Sequence, residues 1–168
     1  MSLKAITLTQ PWASLVMCGA KKIETRSWRT KYQGRVVIHA AKGMPMPALA
    51  LAMGLSAVSG FREAPMFKAA LDRAGLQGDH LPRGVALGVV TLVGCYPIIR
   101  GYPEGMVNTA GVFGYHQPAK DTDEYAFGDW GPGRWAWVLN DPRPFVEPFP
   151  CRGSLGLWDY HGPIRFAD

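Results

Sequence analysis

The sequence predicts a single α+β domain, rich in turns as a barrel-like β protein is and carrying helices. Three observations predict it. β-Prone runs recur along the chain, the longest of them at 84–94; two alanine-bearing segments between residues 44 and 80 have helical composition or spacing; and 20 glycines with 14 prolines among 168 residues supply the many turns of a barrel-like protein. With 48% hydrophobic residues the chain can bury one core and has little reason to split.

The elements follow in order. Residues 4–9, with Ile6, Thr7 and Thr9, favour an extended first strand. Pro11 suits the first turn of a helix because its missing N–H would be unpaired there anyway, and Gly19 supplies a left-handed stop, so a helix of two turns ends just before Lys21. Residues 22–28 form a second strand, with Glu24, Arg26 and Trp28 on one face and Ile23, Thr25 and Ser27 on the other. After a turn at Tyr32, Gln33 and Gly34, residues 35–40 make a third strand in which Val36 and Ile38 oppose Val37 and His39.

A helical insert spans about 44–80. One helix starts after Pro45 and Pro47; in a second, Phe67, Ala70, Leu71 and Ala74 share a face, Pro65 fits the first turn and Gly75 the stop. The run at 84–94 is nearly continuous in apolar residues, as a central barrel strand requires, and its Gly88 and Gly94 mark bends or bulges. Residues 97–133 lose regular patterning and read as one long loop, placed to fold over a cleft as a lid carrying Tyr115, His116 or Trp130. A strand at 134–140 follows, then a turn through Asp141, Pro142, Arg143 and Pro144 into 145–149. No repeat or linker divides the chain.

Function concentrates in one stretch. Between Lys21 and Arg35 there are six cations (Lys21, Lys22, Arg26, Arg29, Lys31, Arg35) and one anion, Glu24, which leaves 12 of each elsewhere and places the whole formal net charge of +5 here. Positive charge beside Trp12 and Trp28 suits a ligand bearing phosphates and bases, since cations hold the backbone and rings stack on bases. The plain reading of the same residues is a solvated basic strand whose tryptophans belong to the core. His39 could approach the cleft beside Glu24, although a barrel histidine bonded to backbone explains it as well.

The spacing Gly19-x-Lys21-x-x-Glu24-x-Arg26, preceded by Pro11-Trp12-Ala13, resembles the signature of the ASCH domain family, the activating signal cointegrator homology domain. Ser27-Trp28-Arg29-Thr30, Gly34-Arg35-Val36-Val37-Ile38-His39-Ala40 and the closing Gly156-Leu157-Trp158 look like that family too. The resemblance implies a PUA-like fold, a small β-barrel with helices at its mouth, and a role in RNA binding or RNA-related enzymology. On it we expect an RNA or nucleotide ligand, DNA being a further option, at Trp12, Lys21, Glu24, Arg26, Trp28, Arg29, Lys31, Arg35 and His39.

Some bacterial members are amidohydrolases that deacetylate N4-acetylcytidine, and their motif lysine corresponds to Lys21. This chain departs from them at Glu24, where they have a threonine, and their second glutamate, from a later strand, has no assigned counterpart here. The alternative function is therefore a nucleoside amidohydrolase in which Lys21 assists attack on the acyl carbon, Glu24 shuttles protons and Arg26 stabilises the oxyanion or binds a phosphate. A third reading makes the basic stretch a surface for an acidic protein partner.

Other classes are disfavoured. Cys18, Cys95 and Cys151 are scattered, odd in number and without a CxxC pair, as in a reducing cytoplasm, and His39, His80, His116 and His161 have no metal-ligand spacing. We expect no metal and no cofactor. The first twenty residues lack the continuous apolar core of a secretory signal, and no run is long enough to span a membrane, so a cytoplasmic protein is expected.

Overall fold

A computed structural model describes residues 2–99, 105–109 and 112–166. It is a mixed α+β fold on an eight-stranded sheet. The strands β1 (Leu3–Leu8), β2 (Ile23–Arg26), β3 (Gly34–Ala40), β4 (Val85–Ile99), β7 (Trp135–Pro150) and β8 (Leu157–Tyr160) form one path, β2-β7-β4-β3-β1-β8, while β5 (Gly105–Thr109) pairs with β6 (Val112–His116) and β6 with the end of β4. Among the described residues no helix is long and apolar enough to cross a membrane.

The expected barrel is corrected in one respect: the sheet curls without closing. β2 and β8, the ends of the path, do not pair. Closure needs an unbroken ladder, and β2 offers only four residues, whose outer edge is taken up by side chains. β8 covers β1 only from Leu3 to Ile6, which leaves Thr7 and Leu8 beyond it.

The curl comes from β4 and β7, which are 15 and 16 residues long and slip register three times against each other, after Ala86, Val89 and Leu92. Gly88 permits the closest approach. A Cβ there would lie 2.5 Å from the Arg143 carbonyl oxygen and the Met17 methyl. β7 also corrects the expected turn at 141–144, because the strand runs straight through it. Pro142 and Pro144 are accommodated along these irregular stretches of the ladder, where a missing donor costs least, and Asp141 takes a φ of 50° beside them.

Helices cover the curl. α1 (Trp12–Met17) sits against β3, β4 and β7 and sends Ala13 and Val16 into the core with Ile6, Leu8, Val36 and Ile38. Gly19 ends it at φ 80°, as the sequence requires. α2 (Met46–Ala52), α3 (Ser56–Ser59) and α4 (Ala64–Arg73) form the insert, where Leu51, Phe67 and Leu71 build a second cluster with Leu15 and Phe127. On the opposite sheet face Ala5, Val37, Val89, Phe145 and Tyr160 form a third. There the guanidinium carbons of Arg35 and Arg143 lie 5.5 and 4.3 Å from the Phe166 ring centre.

The described residues within 97–133 are likewise not one loop. It holds the β5–β6 hairpin and α5 (Asp123–Ala126), which Thr122 caps by accepting a bond from the Tyr125 N–H. Phe127 and Trp130 are buried, and Tyr115 stacks on Trp130 at 6.4 Å. Residues 125–131, with Phe127 and Trp130 buried among them, form a wall of the site described next. The side chain of His116 lies outside the described residues.

Candidate functional site

The open seam of the sheet is a cavity of about 980 Å³, at the upper end of the range for small-molecule sites. One side is the end of β1 with Trp12; the other is β2 with residues 125–131, and the exposed Phe61 and Lys120 are on the lining too. Alternation along β2 buries Ile23 and Thr25 and leaves Glu24 and Arg26 half-buried. The Arg26 guanidinium crosses the seam, with Nη2 donating to the Thr7 carbonyl at 3.1 Å. Its Nε is 3.0 Å from Glu24 Oε1, but the N–H points off the carboxylate, so this is an ion pair rather than a hydrogen bond.

The outer edge of β2 is capped by charged side chains from three directions. The Glu124 carboxylate accepts from the Lys22 and Ile23 amides at 2.8 and 2.9 Å. Lys21 Nζ donates to the Ile23 carbonyl and, at 3.0 Å, to that of Phe127, with Glu24 Oε2 at 3.7 Å. Arg134 Nη2 donates to the Thr25 carbonyl at 3.0 Å and Nη1 reaches Asp129 at 3.2 Å, while the Asp129 amide bonds Thr25 Oγ1. A strand edge normally satisfied by another strand is satisfied here by side chains. The Phe127 carbonyl also accepts from Trp12 Nε1 at 2.9 Å, which fastens α1 to the same wall.

Burial shifts the Glu124 and His39 pKa values in opposite directions. It pushes the Glu124 carboxyl above its ordinary range against the pull of Lys21 and of the two amides. It lowers the His39 imidazole, whose Nε2 donates at 3.1 Å to the Cys151 carbonyl. We assign the proton to Nε2 because a carbonyl can only accept.

The structure brings Trp12, Glu24, Arg26 and Trp28 together on the cavity lining. Lys21 stands behind that lining with its side chain wholly buried. Arg29, Lys31, Arg35 and His39 are not among the lining residues: Arg29 lies over Trp135 at 5.5 Å, Lys31 is exposed, Arg35 is on Phe166, and His39 is enclosed by Trp158 and Gly153. The cavity is therefore not basic. Arg26, Lys120 and Arg134 are matched by Glu24, Glu63 and Asp129.

Sequence reasoning missed Glu124, Asp129 and Arg134. Only Glu124 had a usable signal, as the acid in the first turn of a helix capped by Thr122. It also missed Gln10, fully buried, which bonds the Pro82 carbonyl and the Ser14 amide and so seats α1.

A family profile for the ASCH domain matches residues 6–127, from the first wall of the cavity to the last residue of the Lys21 network. The chain belongs to the ASCH domain family. Activating signal cointegrator 1 of Mus musculus and that of Homo sapiens are each 33% identical to it over 160 residues, covering 95% of this chain and 22% of theirs. This ASCH chain thus spans under a quarter of the length of those relatives.

Proposed function

We propose that this ASCH domain binds RNA or a nucleotide, with a nucleoside unit held in the seam cavity. The observation that carries the reading is the lining itself: a carboxylate and a guanidinium side by side on β2, with Trp12, Trp28 and Trp130 on the same lining, in a space with room for a nucleoside. Glu24 accepts hydrogen bonds from a base amine, Arg26 offers the donors it does not spend on Thr7, and Trp12 and Trp28 bound the base. Exposed Arg29 and Lys31, which follow Trp28 in the chain, meet phosphates outside.

Binding is favoured over turnover because the Lys21 ammonium already has two carbonyls and a carboxylate around it and no exposed surface. A poised nucleophile needs access to the acyl carbon. Tryptophan fluorescence titration with nucleosides and short single-stranded RNAs tests the reading. Saturable quenching that Glu24→Gln and Arg26→Gln each weaken at least tenfold supports it, and no response to any of these ligands refutes it. Release of cytidine from N4-acetylcytidine, lost in Lys21→Met with the fold intact, would replace it with the amidohydrolase.

A further inference from the structure

Phe61 stands out among the phenylalanines of the described residues. Phe67, Phe127, Phe145 and Phe166 have aromatic partners and Phe149 packs against the third cluster, whereas Phe61 has no aromatic partner, belongs to no cluster and is 54% exposed. An exposed ring could simply dangle from a loop, but its backbone is clamped. Gly60 ends α3 at φ 76°, and the buried Ser59 hydroxyl accepts from the Phe61 amide at 3.2 Å and lies 3.3 Å from the Phe61 carbonyl oxygen. A ring left more than half in solvent on a backbone held this firmly is free to meet something outside the chain.

Phe61 is also on the cavity lining. Leu55 and Val58, six and three residues earlier, are each at least half exposed and add to the apolar strip of this segment. Arg62 and Lys120, both exposed, have no ion pair among the described residues and are the cations available there. An uncommitted ring with unpaired cations nearby, at the rim of a charge-balanced cavity, is the combination that takes successive units of a single strand: bases stack on the ring and phosphates meet the cations.

We propose that Phe61 is a second base subsite, so that the ligand is a single-stranded nucleic acid with one nucleoside inside the cavity and its neighbour stacked on Phe61. This deepens the function proposed above and rests on it for the first nucleoside. The test compares, by titration calorimetry, each of the four nucleosides with the matching short single-stranded homopolymer, in the parent protein, Phe61→Ala and Phe61→Trp. The ratio of polymer to nucleoside affinity should fall about five- to 150-fold in Phe61→Ala, the range of a lost base–aromatic stack, and be kept or raised in Phe61→Trp.

A ratio unchanged in Phe61→Ala overturns the subsite and leaves the cavity reading standing. Polymer binding that depends on Phe61 while no nucleoside binds keeps the subsite and removes the cavity reading. If neither ligand binds, or if Phe61→Trp weakens the polymer as much as Phe61→Ala does, the subsite is overturned and the strip is left to a protein partner.

Discussion

Replacing Lys21 with methionine tests whether the motif lysine is a structural tie. Methionine keeps most of the volume, so no large cavity term enters. The Ile23 carbonyl loses the ammonium, and a stranded buried acceptor costs about 1–3 kcal/mol. The Phe127 carbonyl keeps Trp12 but loses a charged donor, a bond worth about 1.5–3 kcal/mol, and Glu24 retains Arg26. Together these place the loss at about 3–5 kcal/mol, the usual scale for removing one partner of a buried ionic pair. With a urea dependence of about 2 kcal/mol per molar, the unfolding midpoint should fall by roughly 1.5–2.5 M. Equilibrium urea unfolding followed by tryptophan fluorescence measures it. A midpoint within about 0.5 M of the parent, with ligand binding abolished, would refute the tie and make the ammonium a ligand contact.

Other expectations follow from the same geometry. Burial raises the Glu124 pKa, so its folded form holds a proton that the unfolded chain gives up; its contribution to stability is fullest below its unfolded pKa and is lost as pH rises through the folded value. The stability of the parent relative to Glu124→Gln should accordingly decline as pH rises above the ordinary glutamate pKa in parallel urea titrations, and a rising difference would contradict the assignment. Tyr160, buried and donating to the Pro163 carbonyl, is pushed up to about 12; a tyrosinate absorbance step there should vanish in Tyr160→Phe. Gly153→Ala would bring a methyl 2.5 Å from the His39 ring and 2.7 Å from Thr7 Oγ1, an overpacking expected to cost about 1–3 kcal/mol and to appear as a lower Tm.

Much of the scaffold was legible because it rests on local chemistry. Pro11 and Gly19 bracket α1, Gly88 and Gly94 sit where the β4–β7 register slips, and alternation along β2 turns Glu24 and Arg26 toward the cavity. What escaped depends on long-range partners. Asp141 to Pro144 has the composition of a turn, yet β4 lies alongside and keeps it extended, and nothing local announces that partner. Glu124 is about a hundred residues from the amides it caps, and Lys21 reads as a free cation until the Phe127 carbonyl arrives from 106 residues away. Net charge misled for a related reason: it counts residues, whereas the fold leaves Lys31 in solvent and Arg35 on Phe166, outside the cavity.

The side-chain closure of β2 bears on how this protein can diversify. Lys21, Glu124, Thr25 and Arg134 each answer a specific backbone or side-chain group of one short strand or its wall, so substituting any of them alone strands a polar atom in the interior. Those positions can drift only in concert. Phe61, Gln117 and Lys120 take part in none of those bonds and still line the cavity. Change can therefore accumulate on that part of the lining one residue at a time, while the framework beneath stays fixed.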